Sequence, residues 1–380
     1  MGALVSRKPM FGFLILLTIC STGGLQCWRT LFDNFVVHGV GLDGHHMGAL
    51  QSIREIPGFL ALLVTYVLLI IREHRLAAFS IVLLGAGVFA TGLLPSFSGL
   101  ALTTLVMSFG FHYYETCCQS LTLQYFDHKT APMVFAAQQK WAAAANILVG
   151  VAIFLIAPLL SYTAMFILFG TIIIACGAWA MTRRPEESGM IPQKKKMVVK
   201  KRYWLYYCLT FMAGARRQIF IAFAVFLLVQ KFEFSVREIT LLFLLNNAVN
   251  FFINPLIGRS IVRFGERKVL SVEYTALVLI FAAYAVVDAK WLAGLLYILD
   301  HIFFGFSMGI KTYFQKISDP KDIAPSAAVG FTINHIAAVV LPVIGGFLWL
   351  VDYRIPFLAG AGFSLVSLIL VQYIRLPQRY

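Results

Sequence analysis

Apolar runs of membrane-crossing length recur along the whole chain with only short breaks between them. This limits the possible folds more than any other feature of the sequence. The runs lie near 11–35, 45–71, 76–95, 99–124, 132–157, 161–182, 203–230, 236–258, 269–288, 291–316, 326–349 and 355–375. At roughly 1.5 Å per helical residue, each can cross a hydrocarbon layer about 30 Å thick. None alternates as the strands of a membrane barrel do. Of the 380 residues, 60% are hydrophobic and 13% charged, where a soluble domain carries about 25% charge. The expected fold class is therefore an all-α membrane protein with twelve transmembrane helices and both termini on one side. The first run follows Arg7 and Lys8 and is too long for the apolar region of a signal peptide, so it reads as a retained span. Met1-Gly2 with Ser6 fits a short myristoylation pattern.

Lysine and arginine set the expected orientation. With the N-terminus inside, the inner segments hold Arg72, Arg75, Lys129, Arg183, Arg184, Lys194, Lys195, Lys196, Arg259, Arg263, Arg267, Lys268, Lys316 and Lys321, among others. The outer segments hold only Lys231, Arg237, Lys290 and Arg354. That bias predicts an inner or plasma membrane protein with cytoplasmic N- and C-termini. It also accounts for most of the net charge of +14, so the basic balance calls for no nucleic-acid partner. All six cysteines fall within apolar runs, with no CxxC pair, which argues against a disulfide framework. Cys117 and Cys118 are adjacent and near His112, but neighbouring helical residues point about 100° apart and do not converge on a metal. No metal or cofactor is expected.

The hydrophilic stretch 183–202 divides the chain into halves, 1–182 and 203–380, each of six spans. It reads as a basic cytoplasmic linker, either solvated or against anionic headgroups. The halves resemble each other at an offset near 193. Ala131-Pro132 matches Ala324-Pro325, and Glu73-His74-Arg75 matches Glu266-Arg267-Lys268. Phe109-Gly110-Phe111 matches Phe304-Gly305-Phe306 with a two-residue slip. These matches predict duplication of a six-helix unit in two pseudo-symmetric halves. Following span eight, the segment from Gly258 to Lys268 resembles the major facilitator signature G-x-x-x-D-R-x-G-R-R/K. Gly258, Arg263, Gly265, Arg267 and Lys268 match, while Val262 stands where the acid belongs and Glu266 where a base does. The first-half copy keeps only Arg72-Glu73-His74-Arg75. The resemblance implies a twelve-helix secondary transporter in which the two halves rock around a central site. It also implies a gating role for Arg263 and Arg267, weakened by the missing acid. It is specific for the superfamily and for no substrate.

Polar residues inside the spans fall into stripes. Arg216 and Arg217 lie near the middle of span seven, roughly 20 Å from its start, where a charge costs at least about 3 kcal/mol unless it meets water or a partner. Arg29, Arg54, Lys140 and Lys311 join them, with the acids Asp33, Glu55, Glu115 and Asp300. Thr22, Gln26, Arg29 and Asp33 share one helical face, as do His112, Glu115 and Gln119 in span four. Asn247, Asn250 and Asn254 line up in span eight, and Asp300, Ser307, Lys311 and Gln315 in span ten. Such stripes face away from lipid. In the resembled fold, spans one, four, seven and ten line the cavity, with two, five, eight and eleven beside them, and the stripes fall on these eight. Spans three, six, nine and twelve read as scaffold with almost no mid-membrane charge. The alternative is mutual pairing, as in Arg29 with Asp33 or Arg54 with Glu55, which need carry no ligand.

Six positive against four negative residues favour an anionic ligand. The candidate substrate-binding residues are Arg217, Arg216, Lys140, Lys311, Arg29, Gln26, Tyr114, Gln139, Asn247 and Asn334. Arg217 is preferred over Arg216 because its face carries the smaller neighbours Thr210, Ala213 and Gly214. Candidate proton-coupling residues are Glu115, Asp300, His112 and His335, and candidate gating residues are Arg54, Glu55, Arg263 and Arg267. The expected function is alternating-access transport of a small organic anion, plausibly proton-coupled, by a monomer in the lipid bilayer. A proton-coupled multidrug or amphiphile exporter is the rival within transport. A membrane enzyme is the remoter one, since the chain has no HExxH, GxSxG or nucleotide-binding loop.

Overall fold

The computed structural model describes residues 8–42, 44–185, 193, 196–234 and 236–375. The N-terminal Met1-Gly2…Ser6 pattern, linker residues 186–192 and 194–195, and the side chains of Asp33 and Arg237 lie outside the described residues. The elements follow the twelve apolar runs. They are α1 Lys8–Asn34, α2 Gly44–Phe59, α3 Glu73–Thr91, α4 Phe97–Tyr125, α5 Ala131–Ile156 and α6 Tyr162–Met181. The second half has α7 Trp204–Gln230, α8 Val236–Phe264, α9 Glu266–Val286, α10 Lys290–Phe304, α11 Ile323–Val351 and α12 Arg354–Val371. Nine helices among the described residues are long and apolar enough to cross a membrane.

Local chemistry sets several ends and breaks. Ser96 and Ser161 cap α4 and α6 by accepting hydrogen bonds from Gly99 N (3.1 Å) and Ala164 N (3.2 Å). The α8–α9 junction is shorter than expected. Helix runs through Phe264, so most of the signature segment is the end of α8 and not a loop. Ile257 and Ile261 are buried there and hold the last turns in place. Gly265 alone breaks the chain, at φ 79°, a conformation open to glycine at little cost.

Two rods are interrupted. After Pro57, α2 tightens into a 3-10 turn, Leu60–Leu63, before its last turn Val64–Val67. The hydroxyl of Thr332 patches this break, donating to Phe59 O (3.1 Å) and accepting from Leu62 N (2.9 Å). In α10 a 3-10 turn, Gly305–Ser307, leads into a last segment, Met308–Ile317. Three residues at about 120° instead of about 100° turn the stripe by roughly 60°. Asp300 and Lys311 therefore do not continue one straight line.

The chain forms two compact units. One holds 1–126, 141–198 and 320–332; the other holds 127–140, 199–319 and 333–380. The division thus departs from a simple cut at the linker, because each unit takes a short segment from the opposite half of the sequence. Residues 127 and 320 are themselves 193 apart, the offset of the sequence repeat. Gln193 joins the linker to the α11 segment, donating to Pro320 O (2.9 Å) and accepting from Ala324 N (3.0 Å).

In the first unit α3 is central, packing on α4, α6 and α1. Glycines allow the close approach. A methyl on Gly87 would strike the Met107 backbone, and one on Gly110 the backbone of Leu84. Lipid offers helices no hydrophobic gain from association, so contact of this kind is what holds them. In the second unit α9 packs on α12 and α10, and α7 on α12. Here larger side chains fill the core, including Phe220, Phe223, Phe281, Tyr284 and Phe357. Gly110 and Gly305, matched in sequence, face different partners: Gly110 meets α3, whereas Gly305 meets Ile257 and Asn254 of α8. A two-residue slip turns a helix by about 200°, which accounts for the mismatch.

Candidate functional site

The paired arginines of α7 separate cleanly. Arg216 is 1% exposed. It lies 3.7 Å from Glu273 of α9, donates to the Ser367 hydroxyl of α12, and sits 4.5 Å from the Tyr274 ring centre. Arg216, expected among the substrate-binding residues, has its charge directed to two scaffold helices. Arg217 is exposed and rests 4.9 Å over the ring of Phe304 in α10. Consecutive residues point about 100° apart, so one brace and one exposed cation share the same turn.

A cavity of about 40 Å³ joins them, lined by Arg216, Arg217, Phe220, Phe281, Asp300 and His301, among others. It has room for a water molecule. Asp300 is 4% exposed and lies within electrostatic reach of Arg217 and Arg216. His301 Nδ1 is held by Tyr297 O at 3.0 Å. Among the described residues, Arg216 Nε and Nη2 and both carboxylate oxygens of Glu273 have no hydrogen-bond partner. Of these, the Arg216 donors border the water-sized space, which is where buried water belongs.

A second cluster brings α5, α8 and α10 together within the same unit. Lys140 lies 4.5 Å over the ring of Phe251, and Lys311 lies 5.3 Å over that of Phe135. Lys140 is roughly 13 Å along α5 from Ala131, and Lys311 roughly 9 Å from Ile317. Odd helices begin and even helices end on the same side, so the two lysines stand at similar depth. Neither forms an ion pair among the described residues. Gln139 and the buried Asn254 approach Gly305 between the two clusters, and Asn254 Oδ1 has no hydrogen-bond partner among the described residues. Gly305 follows Phe304, the ring beneath Arg217, so the clusters are contiguous along α10.

Of the remaining candidates, Glu55 and His112 approach each other in the first unit, with a carboxylate oxygen and a ring nitrogen within 4.8 Å. Asn334 donates to Thr210 O (3.2 Å), tying α11 to α7. Asn247 donates to Phe243 O (2.9 Å) on its own helix. Gln26 donates to Thr30 (3.1 Å), while Arg29 is exposed. Tyr114 is buried between α1 and α4, 2.8 Å from the Thr18 hydroxyl, and donates to Cys118 Sγ (3.2 Å). Tyr114 thus helps pack α1 against α4. His112 is buried against Ser108, whose hydroxyl lies 2.9 Å from Nδ1. Glu115 and His335 are partly exposed. Arg54 and Glu55 pair at 2.7 Å, and the Arg54 carbonyl accepts from Ser108. Arg263 is exposed, and Arg267 donates to Gln372, just past the end of α12, at 3.2 and 3.3 Å.

Sequence reasoning missed Glu273 by treating α9 as uncharged scaffold. With it, the intramembrane balance becomes six positive and five negative. The available signal was an acid inside an apolar run, as costly there as the arginines. It also missed a contact repeated at the duplicated ends. Glu73, at the start of α3, accepts from Gln124 of α4 at 2.7 Å. Glu266, at the start of α9 and buried, pairs with Lys316 of α10 at 2.7 Å. Beside this second pair lies the α4–α5 loop. The Asp127 carboxyl is pushed up by burial but held lower overall by bonds from the Thr130 hydroxyl and amide, both 2.8 Å. Burial, and then the Lys316 ammonium, hold the His128 imidazole below its ordinary value.

Several solved structures are similar over nearly the whole chain. The human organic anion transporter MFSD10 (TETRAN) aligns at TM-score 0.78 and 12% identity, covering 96% of this chain and 99% of that one. The E. coli fucose:proton symporter FucP aligns at 0.76 and 11%, covering 99% and 100%. A bacterial homologue of the iron transporter ferroportin, in an outward-facing state, aligns at 0.77 and 13%, covering 96% and 98%. At such identities the likeness concerns the fold. No curated protein sequence matches the chain. The sequence profile of the Major Facilitator Superfamily matches residues 14–320, and with that profile spanning most of its length, the chain belongs to the Major Facilitator Superfamily.

Proposed function

We propose that this membrane transporter carries a small organic anion by alternating access, with Arg217, Lys140 and Lys311 as its principal ligand groups and proton movement coupled to the cargo. One observation carries the reading. Lys140 and Lys311 stand in contiguous helices with aromatic rings, and no carboxylate among the described residues, as their counter-groups. A ring face offsets an ammonium by only about 0.5–2 kcal/mol and leaves its N–H donors unused. A carboxylate or phosphate supplies both charge and acceptors. The organic anion named for the similar human transporter is consistent with this reading. The Arg54–Glu55 pair and the basic residues Arg263 and Arg267 are proposed gating elements. In this reading the protein works as a monomer in the plasma membrane with both termini cytoplasmic, as the bias of lysine and arginine supports. Replacing Lys140 or Arg217 by glutamine should cut organic-anion uptake into proteoliposomes by about 10–100-fold each, with an unchanged elution profile in detergent. Undiminished uptake by the double variant would reject the site.

A further inference from the structure

The second half gathers four charges at one small cavity: the buried Arg216 and Asp300 and the exposed Arg217 line it, and the buried Glu273 of α9 stands behind it, paired with Arg216. Their commitments differ. Arg216 and Glu273 are side chains without solvent exposure, locked to each other at 3.7 Å and to Ser367. They cannot exchange partners without leaving a bare charge in the protein interior. Arg217 is exposed, rests on a ring, and shares the cavity with Asp300. The groups facing Asp300 are Arg217 and Arg216 from α7, Glu273 and Tyr284 from α9, and His301 beside it on α10. Of the two acids, only Asp300 has a neighbouring cation that also reaches the exposed side.

We propose that Asp300 is the proton-binding group of this transporter, and that it acts on the anionic cargo through Arg217. The inference rests on the anion reading above. Ionised, Asp300 balances the charge of Arg217, so an anion arriving at Arg217 would add an excess negative charge to a low-dielectric site. Such an excess is costly. When a proton from water binds an Asp300 carboxylate oxygen, the acid becomes neutral. Arg217 then presents a charge that Asp300 no longer offsets. Each anion bound at Arg217 thus brings in one proton, and each proton released at Asp300 expels the anion. The Arg216–Glu273 pair keeps its balance throughout and holds α7 in register for the exchange. The linkage is reciprocal, so acidification tightens anion binding.

The test uses the purified full-length chain in detergent, with benzoate, lactate and inorganic phosphate as probes, titrated calorimetrically across the acidic to neutral range. For the wild type, the Kd of a bound anion should rise about tenfold per pH unit above the group's titration. For Asp300→Asn, which mimics the protonated acid, that slope should vanish and the tight Kd should persist at neutral pH. His301→Gln should keep the slope. A slope retained in Asp300→Asn, or lost only in His301→Gln, overturns the assignment. If Asp300→Asn does not fold, Asp300→Glu keeps a carboxyl in altered surroundings and should displace the midpoint of the pH dependence; an unmoved midpoint overturns the proposal equally. Anion binding with no pH dependence in the wild type rejects this inference alone. Failure of all three probes to bind at any pH rejects the anion reading beneath it.

Discussion

Adjacent arginines meet different surroundings because consecutive residues of a helix point about 100° apart. In α7 that angle sends Arg216 into the packing with α9 and α12 and leaves Arg217 exposed over Phe304. An ion pair with no solvent exposure is weak evidence of stability, yet losing one partner is severe because the other charge stays buried. Glu273→Gln should therefore destabilise the protein by about 3–5 kcal/mol, read as a lowered Tm in detergent. The double change Arg216→Met with Glu273→Leu should recover most of that loss. Equal stability of the single variant and the wild type would show that the pair braces nothing. The arginines were legible in the sequence as costly charges; their partners were not. Ser367 and Tyr274 carry no charge to draw notice, and Glu273 lies in a run that reads as plain scaffold.

At the scale of elements, the twelve rods were legible because hydrophobicity summed over some twenty residues is a strong and local signal. Breaks were harder. The 3-10 turn Gly305–Ser307 has no proline, and it rotates the α10 stripe by roughly 60°. The junction at Gly265 is a single residue because apolar side chains carry α8 to Phe264. The segment 127–140 illustrates what packing adds to an element. His128 precedes α5 and faces Lys316, Gln315 and Glu266 of the second half, as well as its neighbour Asp127. Its packed value lies below that of a free imidazole, so the packing is at full strength above a pH of about 6.5 and is lost as pH falls through the lowered value. Hydrogen exchange of 127–140, corrected for intrinsic rate, should increase on mild acidification. His128→Asn should abolish the increase, and a wild-type profile without it would exclude the imidazole.

At the scale of the molecule, two compact units repeat one plan with exchanged segments, 127–140 and 320–332. The bias of lysine and arginine predicts that both termini are cytoplasmic. Single cysteines placed near each end of a chain lacking its six natural ones should react with a membrane-impermeant maleimide only after permeabilisation of cells. Labelling of either end in intact cells would invert the topology. Span positions, the duplication and the family signature were determined by the sequence alone, because each is carried by residues close together in the chain or by a constant offset. Which charges pair, which cation is left facing outward, and which short segments change sides were decided only by tertiary structure. Those outcomes depend on side chains of different helices meeting in a medium where an unpaired charge is costly, and no local pattern encodes which helix will stand alongside.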